Sequence, residues 1–126
     1  MPGYVANDLL RFRHLKRRQQ NSPYPHAQPT FGAKVQYKTP ADDSPILPDE
    51  HLKYIQQVVG FFQYCCIAIN NIILVVLGDI SAKQSVSTAN TTARADHLLD
   101  YIASNPNATI FYHASGMVLF IHSDAS

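Results

Sequence analysis

The most constraining feature of the sequence is the apolar run from Val58 to Gly78, which reads VVGFFQYCCIAINNIILVVLG and spans 21 residues without a charged side chain. About 20 apolar residues are enough to cross a bilayer as one helix. However, Asn70 and Asn71 lie near the middle of the run, where burial in lipid is costly, and the flanks lack a clear aromatic belt or Lys/Arg asymmetry. Two buried helices that break at Asn70-Asn71 explain the same residues. We therefore favour a buried core over a membrane anchor at 58–78, and keep the anchor as the alternative hypothesis.

The residues on either side of this run also have helical periodicity. Residues 3–16 predict a first helix. A second helix is expected to begin near Asp49, whose carboxylate suits a helix N-terminus. A further helix is expected to begin between residues 87 and 92 and to end at Asn105-Pro106. The predicted inward side chains are Val5, Leu9 and Phe12 in the first helix, and Ala95, Leu98, Leu99 and Ile102 in the last.

The remaining segments are a connector and a pair of apolar stretches. Residues 21–48 hold six of the eight prolines; because proline removes a backbone donor and biases its predecessor toward extended geometry, they predict an irregular connector. The stretches ATIFYH and MVLFIHSDAS flank a short ASG segment and predict an antiparallel hairpin. The predicted fold class is therefore α+β, mainly α. Its regions are a helix at 1–20, the connector at 21–48, a helical region at 49–106 and the hairpin at 107–126.

Few residues suggest a catalytic or metal site. The five glycines are scattered and form no phosphate-binding loop, and no Cys/His spacing fits zinc. Cys65 and Cys66 are adjacent and do not easily bridge each other. Together with a first segment, MPGYVANDLLRF, that lacks the apolar core of a signal peptide, they predict an intracellular protein that is not secreted. Asp124, at the end of an apolar stretch, is the candidate ligand for Mg²⁺, but such a site needs several carboxylates.

A basic cluster lies near the start of the chain. Its members are Arg11, Arg13, Lys16, Arg17 and Arg18. Within the first 18 residues they face one acid, Asp8. Such a cluster can contact the phosphates of a nucleic acid, or it can be the solvated end of a helix, where the dipole favours cations. The net charge of +1 does not decide between the two interpretations.

Five segments, taken in chain order, carry a resemblance to a known family. They are MPGYVANDLLRF, AKVQYKTPADDSP, YIQQVVGFFQYCCIAINNIILVVLGDISAKQ, HLLDYIASNPNATIFYHAS and MVLFIHSDAS. In this order they resemble the C-terminal thumb and connection region of reverse transcriptase in copia-type retrotransposon polyproteins, where it runs into the first strand of the RNase H domain. The chain departs from the family in CCIAINN, where a basic residue and an Asp are usual, and at Gly116, where an acid is common.

The resemblance implies a polyprotein fragment whose parent carries out RNA-directed DNA synthesis and RNA-strand hydrolysis with Mg²⁺. It implies that the basic cluster, with Arg13, Lys16 and Arg17 foremost, contacts the phosphates of an RNA/DNA template–primer duplex. The missing palm and RNase H portions of the polyprotein would be its other partners. Asp124 corresponds to the first metal-binding aspartate of RNase H, left inert because the other acids are absent. We expect the fragment to need no cofactor and to bind template–primer weakly at most; the resemblance leaves its own enzymatic status open.

Overall fold

A computed structural model describes residues 3–25, 31–32 and 42–107, together with residues 114 and 116. Its helices in these ranges are α1 (Tyr4–Arg11), α2 (Asp49–Ala68), α3 (Leu74–Ala82) and α4 (Ala89–Ser104), with a 3₁₀ turn at Asn71–Ile73 between α2 and α3. Helices α2, α3 and α4 pack against one another, and α1 packs against α4. The described residues therefore form a small helical bundle around a shared core.

The core comes from one face of each of the three longer helices. Its fully buried large side chains include Ile55, Val58 and Phe62 of α2, Val76, Leu77 and Ile80 of α3, and Leu98 and Leu99 of α4. Full burial of such a side chain stabilises a fold by about 1.5–3 kcal/mol. Ala95 and Ile102 are buried as well, so the predicted inward face of α4 is confirmed. In α1, Val5 and Leu9 are only partly buried and pack against the edge of this core.

The apolar run is divided between two helices. Helix α2 ends at Ala68, and the backbone N–H groups of Ile69 and Asn70 both donate to the carbonyl of Cys65, at 2.9 and 3.0 Å. The chain then turns through Asn71–Ile73 into α3, which confirms the predicted break at the asparagines. Across the described ranges, no helix combines the length and the apolar character that a bilayer crossing requires.

The start of α4 is fixed by a cap and by the end of the connector. Thr88 is the N-cap, and its hydroxyl oxygen accepts from the backbone N–H of Thr91 at 3.2 Å. The same hydroxyl donates to Asp42 at 2.7 Å. One residue earlier, the carbonyl of Ser87 accepts from the N–H of Leu47 at 2.8 Å. These bonds hold the connector's last residues against the first turn of α4.

The predicted α+β class is wrong for this structure. The described residues form helices and one isolated bridge between Ile46 and Thr88, but no strand or sheet. Most of the hairpin predicted at 107–126 lies outside the described residues, and Asn107, Ala114 and Gly116, which are described, belong to no strand. The prediction rested on alternating apolar residues. Alternation indicates which face of a strand could be buried, but it supplies no partner strand, and an isolated two-stranded hairpin is marginal in water.

Candidate nucleic-acid interface

The segment after α1, residues 12–24, lies over α4, and we call it the strap. Polar contacts hold it there. The N–H of Gln20 donates to the hydroxyl of Ser104 at 3.1 Å, and the side-chain amide of Asn105 donates to the carbonyl of Gln20 at 3.2 Å. Further along, the ring Nε2 of His97 lies 3.0 Å from the carbonyl oxygen of Ser22. The strap therefore has a defined path along the bundle.

Asp100 of α4 is the main anchor of the strap. Its Oδ1 lies 2.8 Å from Nε2 of His14 and accepts from the backbone N–H of Arg17 at 2.9 Å. Both side chains of the His14–Asp100 pair are buried. Burial alone raises the pKa of Asp100, but the backbone donor of Arg17 and the imidazole of His14 outweigh it and hold this pKa below its ordinary value. The anchor is therefore a carboxylate at neutral pH.

All five members of the basic cluster are exposed, but they are not equivalent. Arg11 places its guanidinium 4.1 Å from the centroid of the Phe61 ring, a cation–π contact that uses the charge within the fold. Arg17 lies 3.3 Å from the carboxylate of Asp96. Lys16 donates to the side chain of Gln19, a neutral partner, at 2.9 Å. The side-chain charges available for an outside partner thus belong to Lys16 and to the two residues considered next.

Arg13 and Arg18 have guanidinium groups with no partner among the described residues. The backbone of Arg13 is also unusual, because its φ is +50, in the left-handed region. Its N–H donates to the carbonyl of Leu10, and the N–H of His14 donates to that of Leu9, each at 3.0 Å. This is the Schellman ending of α1, with an arginine in the left-handed position where glycine is usual. A strained residue with an unpaired charge points to function more than to stability.

A cleft of about 640 Å³ opens between the strap, α2 and α4. It is lined by Arg13 and Arg17 of the strap, Glu50 and Tyr54 of α2, and Thr92 and Asp96 of α4, among others. Asp96 is already engaged, since its two oxygens lie 3.3 Å from Arg17 and 3.2 Å from the hydroxyl of Tyr54. Glu50, in contrast, is exposed and has no partner in the described part of the chain. The cleft thus has one unpaired cation and one unpaired anion at its surface.

The residues that could support catalysis do not assemble into a site within the described ranges. No group of three or more His, Cys, Asp or Glu side chains there could hold a metal ion, so no metal-dependent step is assigned to them. Asp124, the predicted Mg²⁺ ligand, lies outside the described residues. Cys65 and Cys66 are free thiols, and burial raises the pKa of both, which makes them poor nucleophiles at neutral pH.

The basic cluster is visible in the sequence, but the cleft and the anchor of the strap are not. The sequence does indicate a paired acid at Asp100, because this residue lies directly beside the apolar pair Leu98-Leu99. An acid on a buried helix face usually has a partner. Glu50 carried no such signal, since acids in a first helical turn are common for electrostatic reasons. Its place at the cleft depends on how α2 meets the strap.

The chain matches no protein-family model, and no curated protein or solved structure with which it was compared matches it either. The residues and their geometry are therefore the basis for assigning a function.

Proposed function

We propose that this chain is part of a retroelement reverse transcriptase polyprotein, of the copia type that its segments resemble, and that its strap contacts the backbone of a template–primer duplex. The observation that carries the proposal is that some side chains of the basic cluster make contacts within the fold and others do not. Arg11 and Arg17 make contacts within the fold, whereas Arg13 and Arg18 keep unpaired guanidinium groups on a segment fixed to α4. Fixed, unpaired cations suit a polyanion better than they suit the stability of the chain itself.

Phosphate is the expected target, because nothing in the strap favours reading of base edges in a groove. A guanidinium offers a planar pair of donors that fits phosphate oxygens, and backbone contacts fix position without reading sequence. The strap is an irregular segment and not a helix that could enter a major groove. The proposed role is therefore to grip and orient a duplex, while polymerisation and Mg²⁺-dependent steps belong to other parts of the polyprotein.

The affinity should be modest and strongly dependent on salt. Arg13, Lys16 and Arg18 provide three exposed charges without an acidic partner in the described residues. Each phosphate neutralised contributes about −0.9 to the slope of log K against log salt concentration. With about three contacts, the affinity should fall by roughly 40-fold between 50 and 200 mM salt.

The test is fluorescence anisotropy of a labelled RNA–DNA hybrid duplex, titrated with the full chain at several salt concentrations. Arg13→Ala, Lys16→Ala and Arg18→Ala should each weaken binding and reduce the magnitude of the salt slope by about one. Lys83→Ala is the matched control, since Lys83 lies at the end of α3 and outside the strap. Equal losses for the strap variants and the control would show non-specific attraction, and affinity that is independent of salt would refute the proposal.

A further inference from the structure

The cleft between the strap, α2 and α4 keeps one cation and one anion for a ligand after its internal pairs are formed. Arg17 and Tyr54 occupy the oxygens of Asp96, so that carboxylate is not available. Arg13 and Glu50 line the same cleft and have no partner among the residues that the structure describes. A ligand that satisfies both must present an anionic group to the guanidinium and hydrogen-bond donors to the carboxylate.

The cleft also offers flat, partly apolar surface. Tyr54 and His51 both line it. The ring of Tyr54 meets Phe12 edge to face, with centroids 6.0 Å apart and planes at 88°. This contact, together with the bond from its hydroxyl to Asp96, fixes the orientation of the Tyr54 ring. Fixed aromatic rings are the platforms on which proteins stack unpaired bases, because every base has a flat face.

We propose that this cleft binds one unstacked guanine nucleotide, with its phosphate at Arg13 and its base edge at Glu50. The inference rests on the proposed function, in that the nucleotide would belong to the nucleic acid that the strap grips. A cleft of about 640 Å³ lies inside the range of about 300–1,000 Å³ that is typical of small-ligand sites. The proposal adds selection of one base to a strap that otherwise contacts only the backbone.

Guanine is selected by the chemistry of a lone carboxylate. An ionised carboxylate only accepts hydrogen bonds, so it pairs best with two neighbouring donors. Guanine has such a pair in its ring N1–H and its exocyclic amino group. Adenine and cytosine place a ring acceptor beside their amino group, and uracil flanks its one N–H with two carbonyls. Each of these three bases would set a lone pair against Glu50, which costs affinity because the carboxylate cannot donate.

The experiment is titration of the full chain with GMP, AMP, CMP and UMP. Binding is measured by calorimetry and by the shifts of amide NMR signals. GMP should bind at least ten-fold more tightly than the other three and should shift amides around residues 50–54. Glu50→Gln should abolish this preference, since the amide sets one acceptor and one donor against the two neighbouring donors of guanine. Asp49→Asn is the matched control, because Asp49 lies in the same first turn of α2 but does not line the cleft. It should leave the preference unchanged, and thermal unfolding should show both variants folded.

The outcomes separate this proposal from the one on which it rests. Equal affinities for the four nucleotides, or a preference that survives Glu50→Gln, would overturn the guanine assignment. No nucleotide binding while the hybrid duplex still binds would overturn the cleft and leave the strap proposal intact. Guanine selection without duplex binding would support the cleft and refute the strap. Tighter binding of a free amino acid such as leucine would also overturn it, because a zwitterion can satisfy the same two charges.

Discussion

Replacing Arg13 by glycine should stabilise the protein while weakening its binding to nucleic acid. Arg13 holds a φ of +50 at the end of α1. A left-handed conformation costs a residue with a side chain about 1–2 kcal/mol. Glycine removes that cost. However, the greater conformational freedom of glycine in the unfolded chain lowers the free energy of unfolding by about 0.5–1 kcal/mol. The net effect of Arg13→Gly should be a gain of about 0.5–1 kcal/mol in the free energy of unfolding.

The control is Arg18→Gly, which removes the same charge from the same strap at a position without a positive φ. There glycine adds only freedom to the unfolded chain, so stability should fall by about 0.5–1 kcal/mol. Urea unfolding of both variants at neutral pH measures the difference, provided that the dependence on denaturant is unchanged. Both variants should bind the hybrid duplex less well. Destabilisation by Arg13→Gly to the same extent as by Arg18→Gly would show that α1 does not end in the strained motif.

Three further changes test the bundle. Asp100→Ala should cost about 3 kcal/mol in urea unfolding, because it leaves His14 buried without its partner; since the pKa of Asp100 is lowered, the wild type should lose the charge-dependent part of this contribution as the pH falls from the ordinary value of 3.8 through the folded-state pKa. Asp8→Asn should add about 1 kcal/mol at pH 7, because it removes a negative charge whose buried oxygen has no hydrogen-bond partner; burial raises the pKa of Asp8, so its destabilising effect appears as the pH rises through that pKa, and the gain should shrink in acid. Thr88→Ala should cost about 1–2 kcal/mol by thermal unfolding and Thr88→Ser much less, because serine keeps the cap of α4.

The helical core was predictable because its signals are local and periodic. Asp49 after Pro48 marks the start of α2, and the buried positions of α4 recur every three or four residues. The break after Ala68 followed from two neighbouring amides in an apolar run. Each of these features depends on residues within one or two helical turns, which a sequence shows directly.

The site was less predictable because it depends on long-range contacts. The anchor joins His14 to Asp100, which are 86 residues apart in the chain. The basic cluster was visible in the sequence, but its division into used and unused charges was not, because Phe61 and Asp96 become neighbours of Arg11 and Arg17 only in the folded bundle. The left-handed backbone of Arg13 was equally hidden, since nothing in an arginine predicts it.

Because the strap is attached mainly by polar contacts, hydrogen exchange can report whether a duplex is bound to it. Phe12 and Tyr24 pack against the core at the two ends of the strap, but between them its one large aliphatic side chain, Leu15, is 84% exposed, so residues 13–23 can detach without opening the core. The amides of Arg17 and Gln20 would then exchange with solvent through local opening alone. Consider a duplex that binds only the closed strap and is present at about 100 times its dissociation constant. It makes the free energy of opening about 2.7 kcal/mol less favourable and therefore slows that exchange about 100-fold. The amides of Arg17 and Gln20 lie on the inner side of the strap. Their hydrogen exchange would thus measure how much of the strap's outer surface is occupied by duplex.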